Sequence, residues 1–368
     1  MQTFWSQTNI KFELFQQIKI NTMNYFMFFI GVILLLVTAT DLINTSLSVR
    51  GAGFISKRLS KSIWNMLLII NKKMGRRKIL EHGGAVILVS ILINWLLLIW
   101  ISASLMFISQ PDSLMNVETN SPTTIVNKIF YTGYTLSTLG LGDMEPSNNF
   151  WDVLTAVLSF TGLILISIAI TYLIPVVSSE IIKRKISVNI NTLGGSVEEI
   201  LLNYWNGNDF KELEQPFTNL IDPIILHAQN HKAYSVLHFF HSSDKKEAFV
   251  LNITNLDEVL TVLFHNIPAE QRPPYNVLAR LRKAISSYLI TLPATYIIPG
   301  KETPPVLLLT ALENKGIKIK SGEKVDLEYT KLRTRRRLLL SLIKDDGWEW
   351  NDLNSGCYNH EINGTDSI

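Results

Sequence analysis

The sequence predicts an all-α membrane protein with three transmembrane helices, a re-entrant helix and loop, and a mostly α-helical C-terminal domain. Residues 25–47, 85–108 and 149–177 are each apolar over about the length that a helix needs to cross a bilayer. The segment between the second and third spans is too polar to be a fourth span. From about residue 179 the composition shifts to that of a soluble domain, in which prolines separate apolar-periodic stretches.

Composition agrees with one membrane domain followed by one soluble domain. The chain has 368 residues, 47% of them hydrophobic, and a mean hydropathy of +0.20. Its net charge of +3 gives no reason to expect a nucleic-acid partner. Cys357 is the single cysteine, so an internal disulfide is excluded and the thiol is interpreted as a bystander.

The N-terminal part is interpreted as a retained membrane anchor. Residues 1–22 lack the basic region and the cleavage site of a secretory signal, and we expect an extracytoplasmic segment there. The first transmembrane helix is predicted at residues 23–47, with Asp41 near the membrane face. For Asp41 we favour a solvated interfacial carboxylate over a proton relay.

Residues 48–83 form a loop in which basic residues far outnumber the single acid, Glu81. The positive-inside rule therefore predicts that this loop is cytoplasmic and that the N-terminus lies outside. Between its basic clusters, residues 63–70 read IWNMLLII, which is too short to span a bilayer. We expect this stretch to form an interfacial helix whose neighbouring lysines and arginines reach anionic lipid head groups.

The polar stretch between the second and third spans is TTIVNKIFYTGYTLSTLGLGDMEP, residues 123–146. A segment that re-enters a bilayer must have its backbone groups surrounded by protein or water. We predict a helix over residues 123–137, with Ser121 as N-cap and Pro122 as the first helical residue. The hexapeptide TLGLGD, residues 138–143, follows that helix.

This hexapeptide has the residue types needed to replace the water shell of an ion. Successive carbonyls on one strand point to one side only if alternate residues take left-handed dihedrals, which Gly140 and Gly142 permit. Thr138 adds a hydroxyl beneath those carbonyls. Leu139 and Leu141 are expected to face outward into packing.

The stretch TLSTLGLGD, residues 135–143, resembles the P-loop of potassium channels, whose usual form is TxxTVGYGD. The resemblance implies a selectivity filter, an outer aspartate and an aromatic cuff on the pore helix. The implied filter residues are Thr138, Leu139, Gly140, Leu141 and Gly142, the aspartate is Asp143, and the cuff residues are Phe130 and Tyr131. Leucines replace the usual valine or isoleucine and the usual tyrosine or phenylalanine, although GLGD occurs in second pore loops of some two-pore-domain channels.

Leu141 is the larger departure, because leucine cannot make the hydrogen bond to the pore-helix aromatics that a tyrosine makes. The resemblance therefore implies a filter that prefers potassium but discriminates imperfectly against sodium. Three alternatives stay open: a weakly selective cation channel, a membrane sensor with a vestigial pore, and an enzyme in the soluble domain. No nucleophile constellation or phosphate loop favours an enzyme, and no cofactor is expected.

By the same resemblance, residues 84–178 would be a pore domain with an outer helix at 85–108 and a pore-lining inner helix at 149–177. Gly162 lies where many potassium channels place a hinge glycine, and close helix packing explains it equally well. Pro175 either kinks the inner helix as a gate element or, as we favour, ends it. One loop supplies a quarter of a carbonyl ring, so a homotetramer is expected.

Residues 179–368 are predicted to form a cytoplasmic, mostly α-helical domain. Ser196 and Glu199 form a capping box that starts one helix. Further helices are predicted at the apolar-periodic stretches 222–241, 255–264, 275–292 and 331–344. The basic residues of the last stretch are interpreted as a solvated, charge-balanced surface.

Four histidines of this domain carry a further hypothesis. If residues 224–241 are one helix, then His227, His231, His238 and His241 share one face. Histidines four residues apart have metal-ligand spacing, and a histidine stripe can sense pH. We favour an ordinary polar surface, because no cysteine or carboxylate completes a tight metal site.

Overall fold

A computed structural model of the chain describes residues 25–47, 52–75, 77–295, 297–306 and 309–353. These residues are mostly helical, with three long apolar helices, a short helix in the loop between the second and third, and a helical C-terminal region. The predicted fold class is therefore confirmed. The predicted extracytoplasmic segment, residues 1–22, and Cys357 lie outside the described residues.

The elements alternate between long apolar helices and shorter segments. The helices that are long and apolar enough to cross a membrane are α1 (Tyr25–Ser46), α4 (Gly83–Ile108) and α6 (Asn149–Asn191). The elements between them are α2 (Phe54–Met74), α3 (Lys78–Glu81), β1 (Leu114–Asn116), α5 (Ile125–Leu136) and β2 (Met144–Pro146). The later helices are α7 (Val197–Asn203), α8 (Glu214–Ala233), α9 (Phe249–His265), α10 (Tyr275–Leu289), α11 (Thr310–Asn314), α12 (Glu323–Lys331) and α13 (Arg333–Asp345).

The described chain forms two compact units. The membrane unit contains α1, the segment Gly53–Ser56, and residues 89–174. The C-terminal unit contains residues 57–88 and the chain from Pro175 onward. Its core is a cluster of apolar side chains from α7 to α10 and α13, joined by Ile186 and Ile190 from the last part of α6.

Pro175 does not end the third long helix, so our prediction of a helix end there was wrong. α6 is 43 residues long and contains Pro175 in its interior. An internal proline costs about 3 kcal/mol, because it removes a backbone donor and clashes with the preceding turn. Ile186, Ile190 and Leu193 follow it and are buried in the core of the C-terminal unit, so their packing offsets that cost.

α2 is longer than the predicted interfacial stretch and buries one face within the C-terminal unit. Trp64 is fully buried, and its Nε1 donates to the backbone oxygen of Asp345 at 2.9 Å. Lys61 pairs with the carboxylate of Asp345 at 2.7 Å. On the opposite side Met66 and Ile69 are exposed. Contact of that exposed side with lipid stays a prediction.

The sequence suggested that the basic residues of α13 are solvated. Two of them instead pair with buried carboxylates. Arg335 lies 2.6 Å from Asp257, and Arg336 donates from Nε to Glu258 at 2.8 Å; both carboxylates are buried on α9. Burial alone would raise the pKa of Asp257, but Arg282 and Arg335 together lower it below its ordinary value. Arg336 is buried and Arg335 is partly buried, because a buried carboxylate requires a charged partner.

Asp41 is buried within the membrane unit, so the expectation of a solvated carboxylate was wrong. Its side chain accepts hydrogen bonds from the backbone nitrogen of Ile55 at 2.7 Å and from Trp95 Nε1 at 3.0 Å, and the hydroxyl of Ser56 also donates to it. Ile55 and Ser56 lie in the first turn of α2, where backbone N–H groups have no partner within the helix. Asp41 therefore acts as the N-cap of a helix to which it does not belong.

Replacing Asp41 with asparagine should destabilise the membrane unit by about 1–3 kcal/mol, because buried donors lose a charged acceptor. Thermal unfolding of the detergent-solubilised protein, followed as loss of the monodisperse species, measures this change. Asn44→Ala is the matched control, since Asn44 lies one turn away on α1 and is exposed. An Asp41→Asn protein as stable as the control would show that Asp41 does not cap α2.

Candidate ion-conduction site

The re-entrant helix α5 begins later than predicted. Its N-cap is Thr124, whose hydroxyl accepts from the backbone nitrogen of Asn127 at 3.3 Å. Ser121 and Pro122 lie before the helix, because this part of the chain is extended and Pro122 bridges Met115 in an antiparallel pair. The predicted cap is therefore corrected to a residue three positions later.

A small antiparallel sheet ties the chain before α5 to the chain after the hexapeptide. β1 pairs with β2, with Leu114 opposite Pro146 and Asn116 opposite Met144. Beyond the sheet, the nitrogen of Val117 donates to the oxygen of Asp143 at 3.2 Å. These bonds fix the end of the hexapeptide. Strands of three residues have too little periodicity for the sequence to predict them.

The hexapeptide backbone has positive φ at alternate residues. The values are +59° at Thr138, +59° at Gly140 and +79° at Gly142, and the two intervening leucines are not among the residues with positive φ. For a non-glycine residue such as Thr138 this conformation costs about 1–2 kcal/mol. Alternation of this kind is the condition under which successive carbonyls point to one side of a strand.

Two hydrogen bonds hold the start of the hexapeptide at the end of α5. The nitrogen of Thr138 donates to the oxygen of Thr135 at 3.0 Å, and the nitrogen of Leu139 donates to the oxygen of Tyr134 at 3.0 Å. The rest of the hexapeptide is open in the single chain, where Leu139 is 63% exposed and Leu141 50% exposed. Within one chain these leucines do not reach the packing that we expected for them.

Of the two predicted cuff aromatics, Tyr131 is buried and Phe130 is half exposed. The Tyr131 hydroxyl lies 2.9 Å from Thr155 Oγ1 on α6. Sequence reasoning missed Tyr134, which stacks edge-on against both rings and whose hydroxyl lies 3.5 Å from Asp143. Its spacing of three and four residues from the other two aromatics places it on the same helix face, a signal that was available.

Sequence reasoning also missed Lys128, which is buried on α5 with 3% of its surface exposed. Its ammonium donates to the backbone oxygen of Pro111 at 2.8 Å and to that of Gln110. The lysine thus ties the first half of α5 to the chain that leaves α4. A single lysine within the apolar segment IVNKIFY was the available signal.

Gly162 is the point where α6 approaches the end of α5. A Cβ atom at this position would lie 1.9 Å from the backbone oxygen of Leu136, which is far inside van der Waals contact. Glycine is therefore required by close packing, one of the two interpretations left open by the sequence. A hinge at Gly162 and a gate at Pro175 stay predictions.

The four histidines lie in the C-terminal unit and do not share one helix. α8 ends at Ala233, because Tyr234 leaves the helical region with φ −119° and ψ 79°, and a 3-10 helix, Ser235–Phe239, follows. The prediction of one helix over residues 224–241 was therefore wrong. All four are buried rather than on a polar surface. Among the described residues, no group of three or more His, Cys, Asp or Glu side chains is placed to hold a metal ion.

Comparisons with known proteins place this geometry in a family. The ion channel family matches residues 92–179, which contain most of α4, all of α5, the hexapeptide and α6 as far as Ser179. An uncharacterized membrane protein of Bacillus subtilis (strain 168), YdjJ, is 30% identical over 321 residues, which cover 87% of this chain and 94% of that protein. No solved structure matches the chain.

The match to YdjJ covers 87% of the chain and therefore extends well beyond the channel segment. YdjJ itself is described only as a membrane protein. The chain belongs to the same family of multi-pass membrane proteins as YdjJ, and its residues 92–179 are an ion channel domain with a P-loop like that of potassium channels.

Proposed function

We propose that this chain is a subunit of a passive, potassium-preferring cation channel whose filter is the backbone of residues 138–142. The observation that carries the proposal is the positive φ at alternate residues of TLGLG, directly after a short helix between two membrane-length helices. Rings of backbone carbonyls in that arrangement replace the water shell of an ion. Conduction then follows the electrochemical gradient and needs no catalytic group or cofactor.

The residues around the proposed filter have separate roles. Thr138 supplies a hydroxyl at the inner end of the carbonyl row, and Asp143 supplies a carboxylate at the outer mouth. The contact of Asp143 with Tyr134 and the bond from Val117 to its backbone support this placement. Gly140 and Gly142 let the backbone take left-handed dihedrals without a Cβ clash.

Potassium and sodium flux into liposomes tests the proposal, with Gly140→Ala as the decisive variant. Alanine at φ +59° costs about 1–2 kcal/mol per subunit. The summed strain of several subunits should lower potassium flux at least about tenfold or abolish the preference for potassium, since a free-energy change of 1.4 kcal/mol corresponds to a factor of ten.

Gly75→Ala is the matched control, because Gly75 has φ +64° and open space around it but lies outside the filter. It should conduct like the wild type. A Gly140→Ala protein with normal flux and normal potassium preference would contradict the proposed filter.

Leu141 favours a second candidate, a weakly selective cation channel. The hydroxyl of Tyr131 is already engaged with Thr155, and Leu141 offers no polar group to the aromatic residues. A carbonyl ring with fewer restraints discriminates less between ions of different size. Equal permeability of potassium and sodium in the wild-type flux measurement would favour this candidate, and intact assembly without flux would indicate a sensor with a vestigial pore.

We propose further that four copies of the chain surround the pore, because one chain supplies one carbonyl per ring. Large apolar side chains of α5, the hexapeptide and α6 support this assembly, since they are exposed in the single chain. They include Val126, Leu139, Leu141 and Phe160. Native mass spectrometry of the solubilised protein should give four times 41.8 kDa. A monomer or dimer under conditions that preserve ion flux would rule the tetramer out.

The proposed topology has the N-terminus outside and the C-terminal unit in the cytoplasm, supported by the basic residues between α1 and α4. Cysteines introduced at Val117 and Leu327 test it, because both positions are exposed. In a Cys357→Ser background, Val117→Cys should react with an impermeant reagent on intact cells, and Leu327→Cys only after permeabilisation. The reverse pattern would invert the topology.

A further inference from the structure

A cavity of about 320 Å³ lies within the C-terminal unit, beside the last part of α6. Its walls come from α3, α6, α8, α9 and α10, from the segment around the 3-10 helix, and from the residue that follows α13. The polar side chains that line it include Glu180, Lys183, His227, His231, His241 and Asp346. This volume is at the lower end of the range for small-molecule sites and exceeds that of a single buried water.

Several imidazole nitrogens in these walls are buried without a hydrogen-bond partner among the described residues. His227 is fully buried, and neither of its ring nitrogens has a partner. His231 Nδ1 lies 2.7 Å from Thr291 Oγ1, whereas its Nε2 has no partner. Buried polar groups in native proteins are nearly always satisfied, so the cavity needs an occupant that forms hydrogen bonds.

The charges of the lining indicate a cationic occupant. Five lining residues are acidic, namely Glu81, Glu180, Asp244, Glu247 and Asp346, and two are basic, namely Lys183 and Arg184. Both basic side chains are already engaged, Lys183 with Glu180 at 2.9 Å and Arg184 with Glu247. Among the described residues, Glu81, Asp244 and Asp346 therefore have no lysine or arginine partner, although Asp346 lies 3.3 Å from His241 Nδ1.

The histidines are acceptors rather than extra positive charges at neutral pH. Burial lowers the pKa of His227 to about 3, and nearby Lys183 lowers it in the same direction. Burial, the other histidines and Lys183 likewise lower the pKa of His231. Each neutral ring offers one nitrogen lone pair to a donor.

Aromatic rings form the apolar part of the same wall. The ring of Phe249 lies 4.5 Å from that of His227, and the ring of Tyr288 lies 5.3 Å from His227 and 5.3 Å from His231. Aromatic faces attract ammonium groups and also pack against short carbon chains. Acceptor nitrogens, carboxylates and aromatic rings thus line one cavity.

We propose that this cavity binds a small organic ammonium ion, whose N–H groups donate to the histidine nitrogens and carboxylates while its carbon chain packs on Phe249 and Tyr288. A metal ion does not fit, because the described residues provide no set of three suitable ligands. An anion does not fit, because the acids in the lining outnumber the bases.

The proposed site also has a regulatory consequence, which rests on the proposed channel function. α6 contributes Glu180 and Lys183 to the cavity wall and is the helix that would line the pore. Occupancy of the cavity fixes these side chains and so favours one arrangement of the end of α6. A bound ammonium ion would then change ion flux without entering the filter.

Calorimetric titration of the full-length protein with 1,4-diaminobutane at constant pH tests the site. We expect saturable binding, with 1,4-butanediol at least about tenfold weaker because it has the same shape without charge. Equal binding of the diol, or no saturation by the diamine, would overturn the proposal.

Two variants and a control locate the binding. His227→Phe keeps the ring contacts but removes both nitrogens, and should weaken diamine binding at least about tenfold. Glu81→Gln, at the exposed mouth, should weaken it several-fold and is available if His227→Phe does not fold. His265→Phe is the matched control, because His265 lies on α9 outside the cavity and should leave affinity unchanged. Unchanged binding in both test variants would contradict the assignment.

Flux measurements separate the site from its consequence. Diamine added on the side of the membrane that carries the C-terminal unit should change potassium flux through the wild-type protein but not through the His227→Phe protein. Binding without any effect on flux would remove the regulatory step and keep the site. A protein that binds the diamine but never conducts would count against the proposed channel, not against the cavity.

Discussion

The conformation of residues 138–143 depends on two backbone hydrogen bonds to the end of α5. The N–H groups of Thr138 and Leu139 donate to the carbonyls of Thr135 and Tyr134, in the last turn of α5 where carbonyls have no partner within the helix. The Ser137 hydroxyl also donates to the carbonyl of Tyr134 at 2.9 Å. Thr138 is held at φ +59° by this attachment, although a threonine rarely adopts that conformation. Because these bonds join the loop to α5, the loop keeps its shape only while α5 stays in place.

α5 in turn is held by its neighbours within the membrane unit. Lys128 binds the chain that leaves α4, the Thr132 hydroxyl lies 2.9 Å from Ser104 on α4, and Tyr131 reaches Thr155 on α6. At its last turn Gly162 allows α6 to touch the backbone of Leu136. Together these contacts hold α5 to both α4 and α6.

The sequence was sufficient for features that depend on local pattern. Span length, the switch to a soluble composition and the glycine spacing of TLGLGD are all local, and they predicted the fold class and the channel segment. Contacts between residues far apart in the chain could not be predicted from local pattern. Asp41 was interpreted as an interfacial acid, but it is bound by Trp95 and the first turn of α2. Arg336 was interpreted as a surface cation, but it pairs with the buried Glu258. The continuation of α6 beyond Pro175 likewise depends on a core that the helix itself does not encode.

The buried polar groups of the C-terminal unit differ in whether they have partners. On α9, Asp257 meets two arginines and Glu258 meets a third, so that buried charge is matched by opposite charge. In the cavity beside α6, His227 is equally buried, and its ring nitrogens have no hydrogen-bond partner in the part of the chain that the structure describes. A hydrogen-bond partner for His227 would remove the cost of burying its ring nitrogens. Phenylalanine at this position would also remove that cost, since it would pack against the rings of Phe249 and Tyr288. Keeping an unsatisfied ring costs stability in every folded molecule. That cost is recovered only when something occupies the cavity, which makes the histidines better explained by binding than by packing.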